Sequence, residues 1–147
     1  MLDPKGVVPD RVRAAFNTLS EGVLIVDNKD QIIMANDAFA KKVDREADEL
    51  LGIEASSMKW KHASKELRES KTKMPWVGAI KEGVNKIGVS LNLSTKHAGV
   101  RTLATNAAPI TDDSGNARGA LITFDDVTEV EETNVLLENA VTTLSKS

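Results

Sequence analysis

The side chains able to do chemistry are few and scattered. The chain of 147 residues has no cysteine and two histidines, His62 and His97. Without thiols it has no disulfide, thiolate zinc site, iron–sulfur cluster or thiol nucleophile. Two histidines so far apart, with no cysteine to join them, predict no metal site. No Gly-x-Ser-x-Gly elbow presents a serine to a His–Asp pair, and no glycine-rich loop is laid out to cradle a phosphate. Asp125 and Asp126 are formally an acid/base pair. At a strand-to-helix junction, however, adjacent carboxylates more simply favour the positive N-terminus of the helix that follows. With the other partners missing, no catalytic residue is predicted.

The elements that would position any site are legible. Hydrophobic residues make up 41% and charged residues 28%, as in an ordinary globular domain. Lys plus Arg number 19 against 22 Asp plus Glu, a net charge of −3, which gives no electrostatic reason for a nucleic-acid partner or an anionic membrane. Aromatics are limited to Phe16, Phe39, Phe124, Trp60 and Trp76, a poor supply for stacking on bases. No apolar run approaches the ~18–20 residues of a membrane span, and the first residues lack the pattern of a secretory signal. A cytoplasmic setting is expected, with no membrane contact by this segment.

Residues 1–9 read as a leader. A helix capped by Asp10 carries the stripe Val12, Ala15, Phe16 and Leu19, and Gly22 ends it. Val23-Leu24-Ile25-Val26 and Gln31-Ile32-Ile33-Met34-Ala35 flank the turn Asp27-Asn28-Lys29-Asp30, which predicts an antiparallel hairpin. Asn36 is placed to cap the next helix. The middle, from Asp44 to Glu82, reads as helical but broken, with an acidic block before a basic one. Pro75 opens a helix and Gly83 closes it. Ile87, Val89, Leu91, Leu93 and Thr95 then alternate with polar or small residues as a strand. Val100 to Ile110 is a second strand, with Pro109 at its edge or end. The turn at Asp112-Asp113-Ser114-Gly115-Asn116 leads to a last strand, Ala117 to Phe124. Strands flank the helices rather than alternating with them, so the class is α+β with a mostly antiparallel sheet.

The tail has its own pattern. Thr128-Glu129-Val130-Glu131 fits a capping box, in which the Thr128 hydroxyl accepts from the Glu131 N–H. Val127, Val130, Asn134, Leu137, Val141 and Leu144 fall at spacings of 3, 4, 3, 4 and 3, the a and d positions of a coiled coil. Asn134 at an a position would pin the register of a pair. An amphipathic helix folded back on its own sheet is the alternative.

Taken together, these residues resemble the PAS sensory domains of bacterial signalling proteins. The resemblance rests on Gly22 to Asp27, on Ile32 to Phe39 and on the step Leu50-Leu51-Gly52. It continues through Ala108-Pro109-Ile110 with Asp113 and Gly115, then Gly119 to Phe124, and ends on Asp126-Val127-Thr128, which is similar to the family's Asp-Ile-Thr link to an output helix. It covers roughly Asp10 to Glu129. It implies a five-stranded antiparallel sheet in the order 2-1-5-4-3 with short helices across one face. It also implies an input module for a histidine kinase or a GGDEF-type diguanylate cyclase, acting through a parallel helical pair and hence as a homodimer. The sensor domain would span residues 10–125, and 126–147 would begin the signalling helix. Asp126, Thr128 and Glu131 would couple the last strand to that helix. The alternative function is a ligand-free interaction and dimerisation module.

Cofactors are a separate expectation. The cysteine that flavin photosensors of this family require is absent, and a haem would need an axial histidine in an apolar pocket. His62 lies among Lys59, Lys61 and Ser64 and is expected at the surface; His97 is expected in a solvated turn. Haem and flavin are therefore disfavoured. Asn92 and Asn106 are candidates to read a non-covalent flavin, although alternation turns Asn92 away from Leu91 and Leu93. No cofactor is the leading expectation. The place for a small organic ligand would be lined by Trp76, Ile80, Leu91, Leu103 and Thr105, with small residues such as Ala104 or Ala107 opposite.

Overall fold

The computed structural model describes residues 10–97 and 99–129. Six antiparallel strands form one sheet: β1 (Gly22–Asp27), β2 (Ile32–Ala35), β3 (Trp60–His62), β4 (Lys86–Thr95), β5 (Gly99–Thr111) and β6 (Ala117–Asp126). Their spatial order is β2-β1-β6-β5-β4-β3. Setting β3 aside leaves the order 2-1-5-4-3 that the resemblance implies. The additional strand has three residues and pairs Trp60 with Leu93 and His62 with Leu91 on the outer edge of β4. Among the described residues four helices accompany the sheet: α1 (Asp10–Asn17), α2 (Asp37–Lys42), α3 (Lys65–Glu69) and α4 (Pro75–Glu82). Two 3-10 turns, Ala47–Leu50 and Ala55–Ser57, follow α2.

Strand β1 is buried along its whole length, as its unbroken β-branched and apolar run requires. Leu24 and Val26 face the main core with Phe39, Leu50, Trp76 and Ile122. Val23 and Ile25 face a smaller cluster with Ile33 and Met34, against which Phe16 of α1 packs. Gly119 permits the close approach of β6 to β1, because a Cβ there would lie 2.1 Å from the Val26 carbonyl oxygen. The hairpin turn is held by Asp27, whose carboxylate accepts from the N–H groups of Lys29 and Gln31. Asp30, in the left-handed region at φ 65°, accepts from Trp76 Nε1 at 2.8 Å and so pins α4 to the hairpin.

Asn36 caps α2 as expected, and it does more. Its Oδ1 accepts from the N–H groups of Val23 and Phe39, while its Nδ2 donates to the carbonyls of Phe16 and Glu21. One buried amide therefore joins α1, β1 and α2. Pro75 opens α4, and Gly83 ends it at φ 68°. Pro109 lies past Ala107, the last β5 residue paired with β4, so its missing N–H interrupts no ladder on that side.

The alternation in β4 holds from Val89 onward but not at its start. A bulge between Lys86 and Val89, with Gly88 at φ 70°, turns Ile87 out of the Leu91 and Leu93 face. Ile87 is consequently 78% exposed.

Candidate functional site

Where β6 ends, the chain is tied down by one carboxylate. Asp126 Oδ2 receives Lys42 Nζ of α2 at 2.6 Å and Arg101 Nε of β5 at 2.9 Å. Its Oδ1 accepts from the Thr128 hydroxyl at 2.7 Å and from the Thr128 N–H at 3.1 Å. The Thr128 hydroxyl oxygen in turn accepts from the Thr102 N–H at 2.7 Å. The Val127 N–H donates to the Thr102 carbonyl at 2.9 Å. Strand pairing thus continues for two residues beyond β6, with a side-chain oxygen standing in for a backbone carbonyl. Glu131 lies outside the described residues, as do Val130, Asn134, Leu137, Val141 and Leu144. The capping-box partner and the a/d stripe beyond Val127 therefore have no described geometry.

Partial burial pushes the Asp126 carboxyl up, but hydrogen bonds from Arg101, Lys42 and Thr128 outweigh it and hold the group well below the usual carboxylate range. The folded pKa lies under the unfolded value of 3.8, so the ionised group stabilises the fold above that pH. That contribution is lost as pH falls below 3.8 toward the folded value. Asp126→Asn is expected to cost about 2 kcal/mol at neutral pH, the usual scale for hydrogen bonds to a charged group. Urea unfolding at a series of pH values checks this: the gap between wild type and variant should be constant above about pH 5 and shrink progressively below it.

Trp76, Ile80, Leu91, Leu103 and Thr105 all face the interior between the sheet and α4, with Ile80 at its margin. Of the small residues set opposite them, Ala107 is buried in that core, whereas Ala104 lies at the opposite parity of β5, paired with Ser90 and Asp125. Four of the five aromatic rings gather in the same interior. Phe124 lies 5.2 Å from Phe39, 5.1 Å from Trp60 and 6.2 Å from Trp76, ring centroid to centroid. Both indole N–H groups are satisfied, by Asp30 and by the Ala55 carbonyl. Asn92 bonds to Thr102 and Asn106 to Gly88 and Thr123, so both polar side chains are engaged along the strands.

His62 corrects the expectation of a surface histidine. Its side chain is on the core side of β3 and only 4% of the residue is exposed, because the strand pairs with β4 and turns its odd member, Lys61, to solvent instead. Nε2 donates to the carbonyls of Thr72 and Lys73, and Nδ1 has no partner among the described residues. His97 is exposed as expected, and its Nε2 lies 2.8 Å from Asp44 Oδ2. Among the described residues no three His, Cys, Asp or Glu side chains gather as a metal site. No helix among them is long and apolar enough to cross a membrane.

The sequence model of the PAS fold matches residues 10–127. The chain belongs to the PAS family. PAS domains are sensory and regulatory input modules, generally without catalysis of their own. Solved PAS structures share the architecture at low identity. A PAS domain of a Colwellia psychrerythraea protein superposes with a TM-score of 0.64 at 15% identity, covering 82% of this chain and 97% of that one. The PAS domain of Bordetella pertussis BvgS gives 0.58 at 16% identity, covering 94% and 97%. An RNA-binding light-oxygen-voltage receptor gives 0.68 at 20% identity, covering 96% of this chain and 39% of that one. No curated protein matches the PAS chain by sequence.

Proposed function

We propose that this PAS domain is a cytoplasmic input module that passes a change in its sheet to an output through the segment after Asp126. The observation that carries this reading is the Asp126 junction. One carboxylate holds α2 through Lys42, β5 through Arg101 and the departing chain through Thr128. A shift of α2 against the sheet must therefore change the charge-assisted bonds that fix the exit of the chain. In this reading the domain works as a homodimer. Val127, Val130, Asn134, Leu137, Val141 and Leu144 form the seam of a parallel helical pair, and the output is a histidine kinase or a diguanylate cyclase. Glu131 completes the coupling set.

Thr128→Val keeps the shape of the side chain and removes the hydroxyl. It leaves the Thr102 N–H unpaired at a site where Thr128 is only 7% exposed. The expected cost is about 1–2 kcal/mol, read by thermal melting, together with an output fixed at one level in the parent signalling protein. Normal regulation in that variant would overturn the coupling role.

A second reading, a dimerisation module that takes up no ligand in its interior, is favoured by the ring cluster around Phe124. Space that would receive a ligand beside Trp76, Leu91, Leu103 and Thr105 is occupied by the protein's own rings. The two readings share the junction and differ in what moves it.

A further inference from the structure

A cleft of about 880 Å³ opens away from the ring cluster, between the end of α2 with its 3-10 turns and the far end of β4. None of the four clustered aromatics lines it. Its apolar wall is made by Val43, Leu50, Ile53, Met58 and Leu93, of which Leu50 and Leu93 also belong to the core. The volume falls within the ~300–1,000 Å³ of small-molecule sites, and an apolar wall with a few polar groups is the composition such sites have.

Its charges are unevenly committed. Asp44 is engaged by His97, and Glu49 accepts from the Glu46 N–H. Arg45, Lys59 and Lys96 also line the cleft, and their side chains have no ion-pair partner among the described residues. Lys59 and Lys96 share one wall, because the Lys59 carbonyl accepts from the N–H of Ser94, two residues before Lys96. Cations beside the half-buried side chains of Val43, Ile53 and Met58 are complementary to a molecule with an apolar body and one negative end. A nucleotide is a poorer match, since the cleft offers no aromatic ring for its base.

We propose that this cleft binds an amphipathic organic anion, its apolar body against Ile53 and Met58 and its carboxylate between Lys59 and Lys96. Another part of the lining, Val43 to Arg45, directly follows Lys42, which grips Asp126. Occupancy would therefore bear on the residue next to the junction; this consequence rests on the input-module reading, whereas binding itself does not.

Isothermal titration of the full chain with sodium decanoate, against decyltrimethylammonium as the cationic counterpart, tests the site. The expected result is saturable one-site binding of decanoate alone. Lys59→Glu combined with Lys96→Glu, both exposed positions, should weaken it by roughly tenfold or more while the melting temperature is held. Absence of saturable decanoate binding, equal binding of the two amphiphiles, or undiminished binding in the double variant would each overturn the proposal. Heat of binding needs no output, so a cleft that does not bind leaves the junction reading standing. Equally, a junction variant with normal regulation leaves the binding result intact.

Discussion

Asn36→Ala is expected to destabilise the domain by about 4 kcal/mol, the largest effect of any single polar substitution considered. The substitution removes an acceptor from the N–H groups of Val23 and Phe39 and a donor from the carbonyls of Phe16 and Glu21. Asn36 is fully buried, so the two amides are left without water. Each unpaired buried group costs ~1–3 kcal/mol, and the partly buried carbonyls regain some solvent. Against a typical total of ~5–15 kcal/mol, this removes a large fraction of the stability. Asn36→Asp should be nearly as harmful, because it keeps the two acceptor contacts but sets a carboxylate against two carbonyl oxygens. A urea midpoint that falls sharply with an unchanged slope is the expected signature. A loss under ~1 kcal/mol would show that the network is dispensable.

Phe124→Ala is expected to cost about 3–5 kcal/mol, the range for deleting a buried aromatic side chain. Phe124 touches Phe39, Trp60 and Trp76 at once, and it is 1% exposed. Its neighbours are anchored: Trp76 to Asp30, Trp60 to Ala55. They cannot collapse far into the space, so a cavity remains. An apolar cavity of that kind stays dry and admits a small aromatic molecule. Benzene should therefore raise the melting temperature of Phe124→Ala and leave wild type unchanged. Calorimetry that finds equal shifts in both proteins would mean that the native interior already has room, contrary to the packing described.

What the sequence revealed, and what it hid, follows the range of the interactions involved. The β1–β2 hairpin, the Asn36 cap, the Pro75 and Gly83 limits of α4 and the Asp112 turn are all set by side chains acting within a few residues. Those were legible. Strand β3 was not, because Trp60 to His62 is too short to show a period and lies in a run of charged residues. Only its pairing with β4 makes it a strand, and only that pairing buries His62. The face taken by Ile87 was hidden for a related reason. Gly88 inserts a bulge that a period-two pattern cannot register.

The same distinction applies at the junction. Asp126 and Thr128 stand out in the sequence as a short motif before a helix. Their partners do not, since Lys42 is 84 residues from Asp126 and Arg101 is 25. The cleft beside Lys59 and Lys96 was equally invisible, because it is built from a broken helical segment and a strand end that only the folded sheet brings together.

Amide hydrogen exchange on the full chain, wild type against Asp126→Asn, addresses the coupling claim most directly. If the junction governs the departing chain, exchange from Val127 through residues 130–147 should accelerate by roughly tenfold. That acceleration should exceed the one in the β1 amides, which report global stability. Acceleration confined to β1, or none after Val127, would contradict the account.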